Sequence, residues 1–240
     1  MYQVSVSISK QNENWLLPQE KLVAAVASCG GVYAGDTKYD RVYFNFACKL
    51  SSSCELKKAI KDYMSELYLT KAKKEYMRKN IKIKVEIFDI LLSILVGFDR
   101  ESEKELLDKI LVIEDDFSID GYFNFRLTEL KTRWDEICSL ARENAFFLSN
   151  RETMYELLRF LMSTIKPQVE RITVKQKEDR FVVLATDDIA IARFDTAEEL
   201  MLYFIETAPL EIRIIGDILP AEQRRILNCI FEDKLSAKYS

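Results

Sequence analysis

Hydrophobic residues alternate with polar ones in two stretches near the start of the chain: Val4, Val6 and Ile8, then Val42, Phe44, Phe46 and Cys48. A period of two turns one side of an extended segment toward a core, so both stretches are predicted strands. Between them Leu22, Val23 and Val26 follow a helical spacing, with Pro18 suited to the first turn and Gly30-Gly31 placed to end it. The first fifty residues therefore read as strand, helix, strand and strand.

From Ser52 the period lengthens, and Leu56, Ile60, Tyr63 and Leu67 fall on one helical face. Ser52 with Glu55, Ser149 with Glu152 and Thr196 with Glu199 have the spacing at which a hydroxyl and a carboxylate cap the start of a helix. Phe123, Leu127, Leu130, Trp134, Ile137 and Ala141 recur every three or four residues, which predicts one continuous helix with Asp120 as its N-cap. Met154, Leu157, Leu158, Leu161 and Ile165 line the next helix, and Pro167 stops it. Four or five helices are expected from Ser52 to Lys166.

Beyond Pro167 the short period returns. Ile172 with Val174, Phe181 to Ala185, and Ile189 to Ala192 are separated by polar turns and predict a meander. A helix over Ala197 to Glu206, a strand over Leu210 to Ile215 able to form a parallel pair, and a helix opened by Pro220 follow. The expectation is an α+β fold with an N-terminal α/β lobe (1–51), a central helical block (52–166), and a C-terminal α/β lobe (167–240) holding the β-meander and helices. The pattern leaves open whether the two sets of strands share one sheet.

Composition adds limits. A chain of 240 residues that is 48% hydrophobic supports a packed core, and its six glycines and four prolines give no basis for a low-complexity linker. The most apolar stretch, Ile87 to Phe98, is interrupted by Asp89 and is shorter than the ~20 residues that cross a membrane. The first residues show no basic leader before an apolar run, so the expected location is the cytoplasm. Five scattered cysteines without a paired spacing are expected to be reduced thiols. A net charge of -4 argues against attraction of the whole chain to nucleic acid or anionic lipid.

The absence of histidine removes Ser-His-Asp and Cys-His machinery, histidine metal ligands and the usual base near neutral pH. The glycine-rich phosphate loops and the G-x-S-x-G elbow are also missing, so no cofactor and no catalytic residue is assigned. The acids Glu114-Asp115-Asp116 are consecutive and project apart, which suits a solvated loop, and Asp187-Asp188 suits a hairpin turn. A carboxylate- and metal-dependent hydrolase using Asp115, Asp116, Asp187 and Asp188 stands as one alternative, with no metal site assigned. Cys29 ends a helix, which does not lower a thiol pKa, so it is expected to be structural.

The run Lys71, Lys73, Lys74, Arg78, Lys79, Lys82 and Lys84 is the electrostatic patch that the sequence offers. Its cations either complement a helix C-terminus in solvent, or Lys73, Lys74, Arg78 and Lys79 contact phosphates. In Phe123-Asn124-Phe125-Arg126, Arg126 either pairs with Glu129 and locks the helix start, or joins Asn124 in a groove that binds an anion or partner.

Several strings resemble the YtxC-like proteins, a sporulation family of endospore-forming bacteria. These are Ile119-Asp120-Gly121-Tyr122-Phe123-Asn124-Phe125-Arg126-Leu127, Leu157-Leu158-Arg159-Phe160-Leu161 with the Lys166-Pro167 exit into Ile172-Thr173-Val174, and Leu200 to Pro209 followed by Ile212 to Ile215. The likeness covers residues 110–216, and the first fifty residues are outside it. The segment Val169 to Lys175 lacks the histidine of the family pattern. The resemblance implies an intracellular role in an endospore former and no activity. The leading expectation is a non-enzymatic protein-interaction module with an unidentified protein partner. Nucleic-acid or phosphate binding through residues 71–84 is the less favoured alternative.

Overall fold

The computed structural model describes residues 1–83, 88–148 and 150–236, apart from the side chains of Lys21 and Phe147. The elements in chain order begin with β1 (Tyr2–Ser9), α1 (Glu20–Ser28), β2 (Val32–Lys38), β3 (Arg41–Cys48), α2 (Ser53–Leu67), α3 (Lys73–Asn80), α4 (Phe88–Gly97) and α5 (Arg100–Ile110). They continue with β4 (Asp116–Ser118), α6 (Ile119–Phe125), α7 (Thr128–Glu143), α8 (Ala145–Leu148), α9 (Arg151–Thr164), β5 (Arg171–Lys177), β6 (Arg180–Leu184), β7 (Ala190–Phe194), α10 (Ala197–Thr207), β8 (Glu211–Ile214) and α11 (Ala221–Phe231). The fold is α+β, with two separate four-stranded sheets. It divides into two compact units, Met1–Asn80 with Asp99–Cys138, and Ile81–Phe98 with Ser139–Ser240, so the helices of residues 52–166 are shared between them.

In the first unit the strand order is β2-β3-β1-β4. β1 lies antiparallel to β3, with Val4 opposite Phe46 and Val6 opposite Phe44, and all four side chains are buried. β4 pairs in parallel with β1, Val6 opposite Phe117, from the middle of the stretch predicted to be helical. A three-residue strand is too short to show alternation, and only its pairing reveals it.

The helix predicted from Asp120 to Ala141 is two helices, α6 and α7. Ser118, not Asp120, is the N-cap, accepting from the Gly121 N–H. Lys131 Nζ donates to the Asn124 carbonyl at 2.8 Å, which satisfies an acceptor near the end of α6. The apolar stripe passes through the break: Phe123, Leu127, Leu130 and Trp134 are buried, and Cys138 rather than Ile137 continues it. Apolar periodicity records which side meets the core, and it does not require an unbroken backbone ladder.

Ser52 makes no capping bond to α2. Its ψ of 11° continues the preceding 3₁₀ turn over Leu50–Ser52, whereas a capping hydroxyl sits on extended backbone. Among the described residues eight helices, α2 to α9, occupy the region where four or five were expected, because short helices and breaks carry little periodic signal. Between α2 and α3 the chain makes one π-helical turn over Tyr68–Ala72. Around it Trp15, Tyr68, Tyr76, Phe123 and Trp134 form an aromatic cluster with ring centroids 4.9 to 6.2 Å apart in successive contacts.

In the second unit the order is β7-β6-β5-β8. β5, β6 and β7 form the antiparallel meander, and β8 returns parallel to β5. Asp188 takes a positive φ of 61° in the β6–β7 turn, as its residue type suggested. Thr196 and Glu199 form the expected capping box on α10. Ser149, half of the third predicted box, lies outside the described residues, and Asn150 caps α9 by accepting from the Glu152 and Thr153 N–H groups. Ile87 also lies outside them, but Leu91, Leu92 and Ile94 of α4 are buried, as expected of a core helix. No described helix is long and apolar enough to cross a membrane.

Candidate functional site

In the first unit α1 and α2 pack side by side, and each buries one face. Leu22 and Val26 of α1 are buried, as are Leu56, Ile60, Met64 and Leu67 of α2. The faces next to these remain accessible and enclose a groove of about 810 Å³. Along α2 its wall is Glu55, Lys58, Ala59, Asp62, Tyr63 and Glu66, a spacing that keeps one side of a helix in register. Leu17, Pro18, Leu22, Ala25 and Cys29 complete the wall from the α1 side.

The groove has an apolar floor and an acidic rim. Glu66 is bound by Arg100 at 2.5 Å, whereas Glu55 and Asp62 are exposed and make no ion pair among the described residues. Lys58 is the cation in the wall. Tyr63 donates its hydroxyl to the Leu17 carbonyl at 2.8 Å, tying the lead-in of α1 to α2. Burial pushes the Tyr63 hydroxyl up to about 12, so near neutral pH it remains a donor. Cys29, at the end of α1, places Sγ 3.2 Å from the Ala25 carbonyl.

The sequence-selected residues do not assemble into one site. Lys73 is wholly buried, with Nζ 2.8 Å from Glu103, and is not on the surface of the basic run. The π-helical turn just before it shifts the phase of the helix, so Lys73 enters the core while Arg78 and Lys79 face solvent and Lys74 is half-buried. Burial pushes the Lys73 ammonium down and the Glu103 carboxyl up, against the attraction between them. Lys79 pairs with Glu75 at 3.3 Å, and Lys84 lies outside the described residues.

Arg126 and Asn124 are exposed beside Phe125, which is 81% exposed. Glu129 is 3.6 Å from Arg133, not paired with Arg126. The helix start is locked elsewhere, by Arg41, whose guanidinium donates to both Asp120 oxygens at 2.7 and 3.2 Å and to Ser118 Oγ at 2.9 Å. Asp115 and Asp116 belong to the first unit, Asp187 and Asp188 to the second, and among the described residues no three Asp, Glu or Cys side chains gather as a metal-binding group.

The periodicity of α2 marks its buried stripe and carries no sign of the groove, which exists only where the adjoining face meets α1. Tyr63, which the spacing placed on the buried face with Leu56, Ile60 and Leu67, is only half-buried and stands with Ala59 in the groove wall, while Met64 takes its place in the core. The chain matches no family model, no curated protein and no solved structure.

Proposed function

We propose that this chain is a non-enzymatic protein-interaction module whose α1–α2 groove receives a basic amphipathic helix from a partner. The carrying observation is the apolar floor flanked by Glu55 and Asp62, two exposed carboxylates without ion-pair partners among the described residues. Helix-in-groove recognition uses an apolar stripe for affinity and flanking charges for orientation. α1, at 1.5 Å per residue, offers a wall about 13 Å long, enough for two to three turns of a docked helix. The cytoplasm of an endospore-forming cell is the proposed setting, supported by the YtxC-like resemblance of residues 110–216.

The test is a photo-crosslinking amino acid placed at Ala25 or Ala59 in cells of an endospore former. The expected outcome is one protein captured from both positions, through a segment with Lys or Arg flanking an apolar helical stripe. Capture of the same protein from an outward control at Glu136, or through an acidic segment, contradicts the proposal.

A further inference from the structure

The pairing register of the second sheet gathers cations that are far apart in the sequence. Directly opposed residues share a face, and alternate residues along a strand change face. Ile172, Val174, Val183 and Ile212 point into the core and are fully buried. The opposite face therefore carries Arg171, Lys175 and Lys177 of β5, Arg180 of β6, Arg193 of β7 and Arg213 of β8. Lys175 lies opposite Val182, which lies opposite Arg193. Thr173 lies opposite Arg213, and Lys177 opposite Arg180.

Two of these charges are answered within the protein: Arg171 pairs with Glu211, and Arg180 with Asp195 at 2.7 Å. Lys175, Lys177, Arg193 and Arg213 make no ion pair among the described residues, and the first three are exposed. Arg213 Nε is buried without a hydrogen-bond partner among the described residues, and its charge acts on the neighbouring Glu211. Thr173, Val182 and Leu184 fill the middle of this face and are buried, Lys175 and Arg193 flank Val182, and acids lie at Glu211 on β8, at Glu178 and Asp179 in the β5–β6 turn and at Asp195. Arg213 has Glu211 beside it, which leaves Lys175, Lys177 and Arg193 as exposed cations of one face without an ion pair among the described residues, a set complementary to a polyanion.

We infer that this face binds the phosphodiester backbone of a nucleic-acid duplex, without base specificity. Arginine and lysine supply the contacts that duplex binding uses for phosphates. Among the described residues the face carries no aromatic side chain, and so no stacking platform of the kind single-strand binders use and no aromatic anchor of the kind protein interfaces use. The sequence hides the face because its cations come from four strands, each contributing one to three.

The experiment is fluorescence anisotropy of the full chain with short mixed-sequence DNA and RNA duplexes over a salt series. Anionic phosphatidylserine vesicles and polyglutamate serve as competing probes. Three exposed cations predict log-affinity falling against log-salt with a slope of about -2 to -3. Lys175→Glu with Lys177→Glu and Arg193→Glu should weaken binding more than about tenfold, while Lys71→Glu with Lys79→Glu should leave it unchanged. The triple Gln variant, milder toward the fold, should weaken binding as well, at an unchanged circular-dichroism melt. Salt-independent binding, binding that survives the triple variants, equal loss with the control pair, or stronger binding to vesicles or polyglutamate than to duplex overturns the inference.

Discussion

Lys73 Nζ lies 2.8 Å from both carboxylate oxygens of Glu103, and neither side chain is exposed to solvent. Trp134 Nε1 donates to the same carboxylate at 2.8 Å, joining the pair to the aromatic cluster of the first unit. The charges are thus satisfied on three sides in a place where an unsatisfied one is costly.

Removing one member strands the other. Lys73→Met or Glu103→Leu alone should cost about 3–5 kcal/mol. Lys73→Met combined with Glu103→Gln keeps an acceptor for Trp134 and removes both charges, so it should recover most of that loss. Urea denaturation of the three variants checks this, and a double variant no more stable than the singles contradicts it.

Arg41 and Asp120 give a pH-dependent test. Burial alone would raise the Asp120 carboxyl, but the Arg41 hydrogen bond and charge outweigh it and hold the group below its ordinary range. A depressed carboxylate contributes stability that is present above its unfolded value, ~3.9, and is lost as pH falls through the folded value. Asp120→Asn should therefore lower the melting temperature at pH 7, and the gap to wild type should close as pH falls below about 4. A gap independent of pH contradicts the assignment.

The helix caps separate motif from structure. Thr196→Ala removes a formed capping box and should cost about 1 kcal/mol. Ser52→Ala removes a hydroxyl that caps nothing and should stay within about 0.5 kcal/mol. Thermal denaturation of both checks the contrast, and equal losses contradict it.

These cases mark what the sequence makes legible. Long elements with one buried face were readable: β1 and β3 from alternation, α9 from Met154 to Ile165, and the meander from turn residues such as Asp188. The α+β class follows from them. Hidden were features fixed by distant partners, such as β4, visible only through Ser5 and Val6 of β1. Lys73 was misread because a basic run looks solvent-facing until Glu103, thirty residues later, is folded against it. The groove and the cationic sheet face are likewise juxtapositions, and each residue in them is ordinary in its own segment.

The most direct measurement is the affinity of the crosslinked partner's helix for the wild-type chain and for an Ala59→Arg variant, with melting temperatures taken in parallel. Arginine at position 59 places a cation in the wall of the groove without touching the buried stripe of α2. If the groove is the site, Kd rises at least about tenfold at an unchanged melting temperature, with a partial rise for Glu55→Lys and Asp62→Lys. Equal affinity in a folded Ala59→Arg variant would contradict it and remove the groove as the site.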